Sequence, residues 1–115
     1  MLIEIESQND VCILRLKGRF ITGTDADYLR SKTDEIKMRN CTKLLVDLSE
    51  VSWIGSTFIG FVVDLYTSIT KNVDGRFTLA GANSRVREVL DLTRLSTVIP
   101  VAGDTGSALA ALLAD

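Results

Sequence analysis

Lys43-Leu44-Leu45-Val46-Asp47-Leu48-Ser49-Glu50-Val51-Ser52-Trp53-Ile54-Gly55-Ser56-Thr57-Phe58-Ile59-Gly60-Phe61-Val62-Val63-Asp64-Leu65-Tyr66-Thr67-Ser68-Ile69 joins two kinds of apolar pattern within one segment. The run Leu44 to Val46 has the length and composition of a strand buried on both faces. Ser49 and Glu50 read as a polar turn, and a second apolar patch follows. From there Phe58, Val62, Leu65 and Ile69 recur at spacings of three and four, which puts them on one face of a helix. Gly55, Ser56 and Thr57 stand just before that pattern. Ser56 and Thr57 therefore fall where N-capping hydroxyls belong, at the positive end of a helix dipole. A hydroxyl there is either a plain cap or a site prepared to carry an anion.

The rest of the chain restricts what such a site can do. A chain of 115 residues, 46% apolar with one proline, reads as a single domain over 1–115. A chain of that size buries ~65% of its unfolded surface in one core. The formal charge is −2 and Lys and Arg form no cluster. Nucleic acid is therefore a poor partner, since phosphate neutralisation supplies most of that affinity. Met1-Leu2-Ile3-Glu4-Ile5-Glu6 alternates like a strand and lacks the basic flank and continuous apolar run of a signal peptide. No later run is long enough to insert directly into a membrane. A cytoplasmic location is the expectation.

Histidine is absent from the chain. This removes every Ser-His or Cys-His nucleophile pair and every histidine metal ligand. The two cysteines cannot build a structural zinc site, so the expectation is no metal, no cofactor and no enzymatic activity. Cys12, inside one expected strand, and Cys41, just before another, read as small buried apolar residues, with a redox pair as the alternative.

Periodicity orders the elements. Leu2 to Ser7 and Val11 to Lys17 form a hairpin around Gln8-Asn9-Asp10, with Gly18 ending the second strand. Thr22 or Thr24 caps a helix with Ala26, Leu29, Thr33, Ile36 and Lys37 along one side, running to about Arg39. A strand over Lys43 to Leu48 and a helix from Ser56 to Thr70 follow. Arg76 to Ala80 is a strand, and Asn83 or Ser84 caps a helix carrying Val86, Val89, Leu90 and Leu92. Thr97 to Val101 reads as a short last strand, held to an edge by Pro100. Asp104 to Leu113 is a closing helix with Leu109, Leu112 and Leu113 apolar. The order β-β-α-β-α-β-α-β-α implies an α/β domain, a mixed and largely parallel sheet with helices packed on it. Gly81-Ala82-Asn83 lacks the remainder of a phosphate-binding loop.

Three stretches in this order resemble the STAS family, the sulfate transporter and anti-sigma factor antagonist domain. Leu45 to Ser49 with Trp53 to Gly60 is similar to the family's strand, loop and Asp-Ser-Ser-Gly-Leu-Gly segment. Leu79-Ala80-Gly81 with Val86 to Leu90 and Leu92-Thr93-Arg94-Leu95 resembles its late strand and helix. Gly18-Arg19-Phe20-Ile21 is similar to its Gly-x-Leu-Asp turn. The resemblance implies a single-domain bacterial antagonist of an anti-sigma factor that works by partner switching. Its partners would be an anti-sigma factor that is also an ATP-binding serine kinase of the histidine-kinase-like type, and a phosphatase that resets the switch. Ser56 takes the place of the phosphorylated serine, with Thr57 beside it. Gly55, Ser56, Thr57, Phe58, Ile21 and Asp25 would contact the partner. A second role the resemblance allows is a constitutive accessory subunit of a lipid-transporting ABC system.

The sequence departs from the family pattern at three of these positions. Gly55 replaces an acidic residue, Ile21 replaces the turn's Asp, and Phe58 replaces the Gly that follows the serine pair. Phe58 reads either as core filling or as an exposed apolar contact. Trp53 is expected to pack under the loop, and Asp47 to cap it.

Overall fold

The computed structural model describes residues 2–8, 10–20 and 26–114. Ten elements follow one another among the described residues: β1 (Leu2–Gln8), β2 (Val11–Phe20), α1 (Ala26–Met38), β3 (Lys43–Ile54), α2 (Ser56–Thr70), β4 (Arg76–Ala80), α3 (Ser84–Leu92), α4 (Leu95–Val98), β5 (Val101–Ala102) and α5 (Thr105–Ala114). The strands form one sheet in sequence order. β1 pairs antiparallel with β2, from Leu2↔Lys17 to Gln8↔Val11, and the other neighbours are parallel. The mixed, largely parallel α/β sheet expected from the element order is present.

Alternation along the strands sorts the side chains into two layers. Ile3, Leu14, Leu16, Leu44, Val46, Leu48, Phe77 and Leu79 face α1, α2 and α3, which supply Leu29, Ile36, Phe58, Val62, Leu65, Ile69, Val86 and Leu90 to the main core. Val11, Ile13, Leu45 and Ala80 face the other way and are covered by Ala108 and Leu112 of α5. Lys43 is buried beside that helix, and its Nζ donates to the Leu112 carbonyl at 2.7 Å and pairs with Asp10 at 3.5 Å. A cation at the carboxyl end of α5 complements the helix dipole. No helix of the described residues is long and apolar enough to cross a membrane.

Several boundaries differ from those expected. β3 runs six residues past Leu48, through the polar Ser49 and Glu50. It stays paired with β2 through Gly18↔Val51 and Phe20↔Ile54, and Val51 and Ile54 are buried. Gly18 does not end β2. It takes a φ of 106° and the register shifts beside it, so the strand bulges and continues to Phe20. The expected strand at Thr97 to Val101 is displaced: Thr97 and Val98 lie in the one-turn helix α4, and β5 holds only Val101 and Ala102. Arg94 reverses the chain at a φ of 63°, and Ile99 then donates to Leu95 at 2.8 Å, closing the helical turn before Pro100. Leu92 is 76% exposed and does not belong to the core face, because it sits two positions from Leu90 around the helix.

The favoured reading of the cysteines as unpaired is also corrected, toward the alternative of a pair. Cys12 and Cys41 are buried, but they form a disulfide with Cα atoms 5.8 Å apart. Parallel pairing of Cys12 with Leu44 brings Cys41, three residues before Leu44, alongside the start of β2. Thr22 and Thr24, proposed as caps for α1, lie outside the described residues.

Candidate functional site

Asp47 lies one residue before the end of the continuously buried part of β3, and its carboxylate braces the stretch that follows, where the register with β2 shifts. Oδ1 accepts from the Ser49 amide at 2.9 Å and the Ser49 hydroxyl at 2.7 Å, while Oδ2 pairs with Arg15 at 3.0 Å. Arg15 in turn binds Glu6 at 2.6 Å. Hydrogen bonding to Glu6, opposed by some desolvation and aided by the charges of Glu6 and Asp47, holds the Arg15 pKa above its already high ordinary value. The loop that Asp47 was expected to cap is absent: its carboxylate instead holds Ser49 within β3, where the strand bulges against β2. Beside this bulge, Gly81 has a φ of +78°, and a Cβ there would lie 3.3 Å from the Ser49 backbone, so glycine lets the chain after β4 close against it.

β3 ends at Ile54, and Gly55, extended at φ −128° and ψ −171°, is the N-cap of α2. This corrects the expectation that Ser56 or Thr57 caps the helix. Ser56 is its first residue, and no side chain caps the end. The difference of one residue follows from glycine taking the extended cap conformation, with the Ile59 amide donating to the Gly55 carbonyl at 3.1 Å. Ser56 is exposed, and among the described residues its hydroxyl has no hydrogen-bond partner. The first turn of α2 carries no acidic residue. Thr57 is half-buried and lines a hollow of about 250 Å³ between α1 and α2, with Leu29, Thr33, Phe61 and Asp64 around it.

Phe58 is 0% exposed and packs 5.8 Å from the Phe61 ring. It fills the core, so its side chain offers no surface to a partner and is removed from the candidate contacts. Its burial also fixes the rotation of α2: residues two apart on a helix point to opposite sides, so Phe58 inward leaves Ser56 outward. Ile21 and Asp25 lie outside the described residues. Gly55, Ser56 and Thr57 are the candidate contacts that the structure brings together.

Trp53, expected beneath the loop, is half-buried, and the Arg85 guanidinium lies over its ring at 5.6 Å. With Arg19 and Ser52 these residues line a cleft of about 460 Å³. Periodicity did not single out Arg19 or Arg85. The available signal was position: Arg19 follows the glycine at which β2 bulges, and Arg85 comes just after the capping pair Asn83-Ser84. Asn83 is the cap of α3, accepting from the Val86 amide at 2.8 Å and donating to the Val51 carbonyl at 3.0 Å, which ties α3 to the extended part of β3. No group of acidic or cysteine residues able to hold a metal occurs among the described residues.

The family model described as the STAS domain matches residues 3–108. The chain is 28% identical over 111 residues to the anti-sigma F factor antagonist of Paenibacillus polymyxa, covering 96% of this chain and 93% of that protein. An anti-sigma factor antagonist from Mycobacterium paratuberculosis has the same fold, with a TM-score of 0.86 at 21% identity over 96% of this chain and 92% of that one. The anti-sigma factor antagonist SpoIIAA in its unphosphorylated form gives 0.80 at 17% identity over 99% and 98% of the two chains. Bacillus SpoIIAA in its phosphorylated form gives 0.72 at 17% identity over 96% and 99%. Anti-sigma factor antagonists of this kind are binding regulators, not enzymes, and the expectation of a non-enzymatic chain stands with them. A match across nearly all of the sequence, on the sheet and helices seen here, has one reading: this chain belongs to the STAS domain family.

Proposed function

We propose that this chain is an anti-sigma factor antagonist that switches partners when Ser56 is phosphorylated. Its partner is an anti-sigma factor that is also an ATP-dependent serine kinase, a phosphatase resets the switch, and the output is transcription in the cytoplasm. The observation that carries the reading is Ser56 itself: exposed, without a hydrogen-bond partner among the described residues, at a helix start that holds no carboxylate. In the reaction the Ser56 hydroxyl oxygen would take the γ-phosphoryl group of ATP, ADP would leave, and the hydroxyl proton would pass to a base on the kinase.

The modification would add about −1.5 to −2 charge and three acceptor oxygens. The helix end tolerates this, because its amide dipoles favour an anion by ~0.3–1 kcal/mol at an exposed site. A protein packed on the same surface would meet a bulky, solvated dianion and be displaced. Binding is what changes, while the core beneath Phe58 does not. Thr57, half inside the α1–α2 hollow, is the less accessible of the two hydroxyls.

The test is incubation with the cognate kinase and ATP, followed by mapping of the phosphate by mass spectrometry. Phosphate is expected on Ser56. Ser56→Ala should bind the kinase persistently in the presence of ATP, and Ser56→Asp should bind about tenfold or more weakly, roughly 1.4 kcal/mol or more. Absence of phosphate from both Ser56 and Thr57 with an authentic partner would end this reading.

A further inference from the structure

Arg19, Trp53 and Arg85 come from three different elements, the end of β2, the end of β3 and the first turn of α3. Arg19 and Trp53 are register partners across the parallel pair, and Arg85 reaches over the indole. Both arginines are exposed. Among the described residues neither has a carboxylate within ion-pairing distance, whereas Arg15, Arg30, Arg39 and Arg87 each have at least one. Among the described residues no acidic side chain lines the cleft they share with Ser52. The first turn of α3 contains no acidic residue either, so Arg85 adds a cation where the dipole favours an anion. Among the described residues, positive charge is therefore gathered without compensation at one place on a chain whose net charge is −2.

We propose that the Arg19–Trp53–Arg85 cleft is a docking surface for an acidic segment of a protein partner, seating a carboxylate against the guanidiniums and an apolar side chain against the indole. The argument is charge complementarity combined with the mixed character of the lining. A guanidinium presents a planar fork that holds a carboxylate through two hydrogen bonds. Trp and Arg are the side chains that most often anchor protein interfaces, because they combine large apolar area with a polar handle. A nucleic acid or an anionic bilayer draws its affinity from many cations arranged along a backbone or a surface. This cleft offers a single pair of cations on an acidic chain, which matches a short peptide segment. The surface stands on the cleft alone and requires no modification of Ser56.

The test is a titration of the isotope-labelled full chain with the peptide acetyl-Glu-Phe-Glu-Glu-amide, followed by NMR. The Trp53 indole N–H and the Arg19 and Arg85 Nε–H signals should shift saturably. The Arg19→Gln/Arg85→Gln variant, which removes charge without reversing it, should keep the wild-type melting temperature and lose about tenfold or more in affinity. Added salt should weaken binding, and the same peptide with Lys in place of Glu should not bind. Unmoved signals at these three side chains, or unchanged affinity in the folded double variant, would overturn the proposal. So would inorganic phosphate that reproduces the shifts at equal concentration, since the cleft would then be a site for a bare anion.

Discussion

Phe58 shows how one side chain sets the geometry of its neighbours. It is fully buried against Phe61, directly under the turn that carries Ser56. Truncation to alanine would leave a large cavity at the start of α2, and such changes cost about 3–5 kcal/mol. Phe58→Ala should therefore lower the urea midpoint strongly at unchanged slope, while Phe58→Leu, which keeps most of the volume, should cost less than about 2 kcal/mol. Equal midpoints for wild type and Phe58→Ala would show that the site repacks freely. The sequence made the position of the hydroxyl pair legible, because Phe58, Val62, Leu65 and Ile69 mark a helix face and Ser56 precedes it. It did not show which residue caps that helix. Gly55 and Ser56 differ by one position, and only the extended backbone at Gly55 distinguishes them. Nor could local pattern reveal that Asp47 is held by Arg15, a residue 32 positions away on the neighbouring strand.

Elements with a strong period were legible at nearly their observed bounds, as with α2 and β4. Those whose limits depend on a neighbour were not. β3 is long because β2 keeps pairing with it beyond the polar Ser49 and Glu50, and β5 is short because α4 absorbs the residues before Pro100. α5 was foreseen to start at Asp104, and that residue acts as its cap: Oδ1 accepts from the Ser107 amide at 2.7 Å and Oδ2 from the Ser107 hydroxyl at 3.0 Å. The Ser107 backbone and side-chain hydrogen bonds hold the Asp104 carboxyl below its ordinary pKa, against a smaller desolvation cost. A carboxyl whose folded pKa is depressed contributes stability that is fully present above its unfolded value. That stability is lost as pH falls through the folded value. The expected result is that Asp104→Ala lowers the melting temperature at neutral pH, and that the gap to wild type narrows as pH drops below the usual aspartate range. A gap that stays constant into strong acid would show that the cap acts through geometry and not through charge.

At the scale of the molecule, one covalent link joins regions that the sheet already holds together. The Cys12–Cys41 disulfide closes a loop spanning 29 positions, which contains β2 beyond Cys12, the connection after it and all of α1. By loop-closure entropy such a cross-link is worth about 3–4 kcal/mol, acting chiefly on the unfolded chain. Both residues are buried in the main core, so reduction would leave two small apolar side chains in place and the packing around them intact. The folded structure should therefore be nearly the same in both forms, while its stability differs. Disulfides persist in oxidising compartments and are rare in most cytosols, so the surroundings set which form prevails. The expected outcome is that a dithiol reductant lowers the melting temperature by roughly 10–20 °C with little change in the far-ultraviolet circular dichroism of the folded state. A Cys12→Ala/Cys41→Ala variant should melt close to the reduced wild type and ignore the reductant. Alkylation of the denatured, unreduced protein followed by mass measurement identifies the starting form. Two alkylated cysteines in protein kept under oxidising conditions, with no effect of the reductant on melting, would mean that the link contributes nothing to holding β2 and α1 on the sheet.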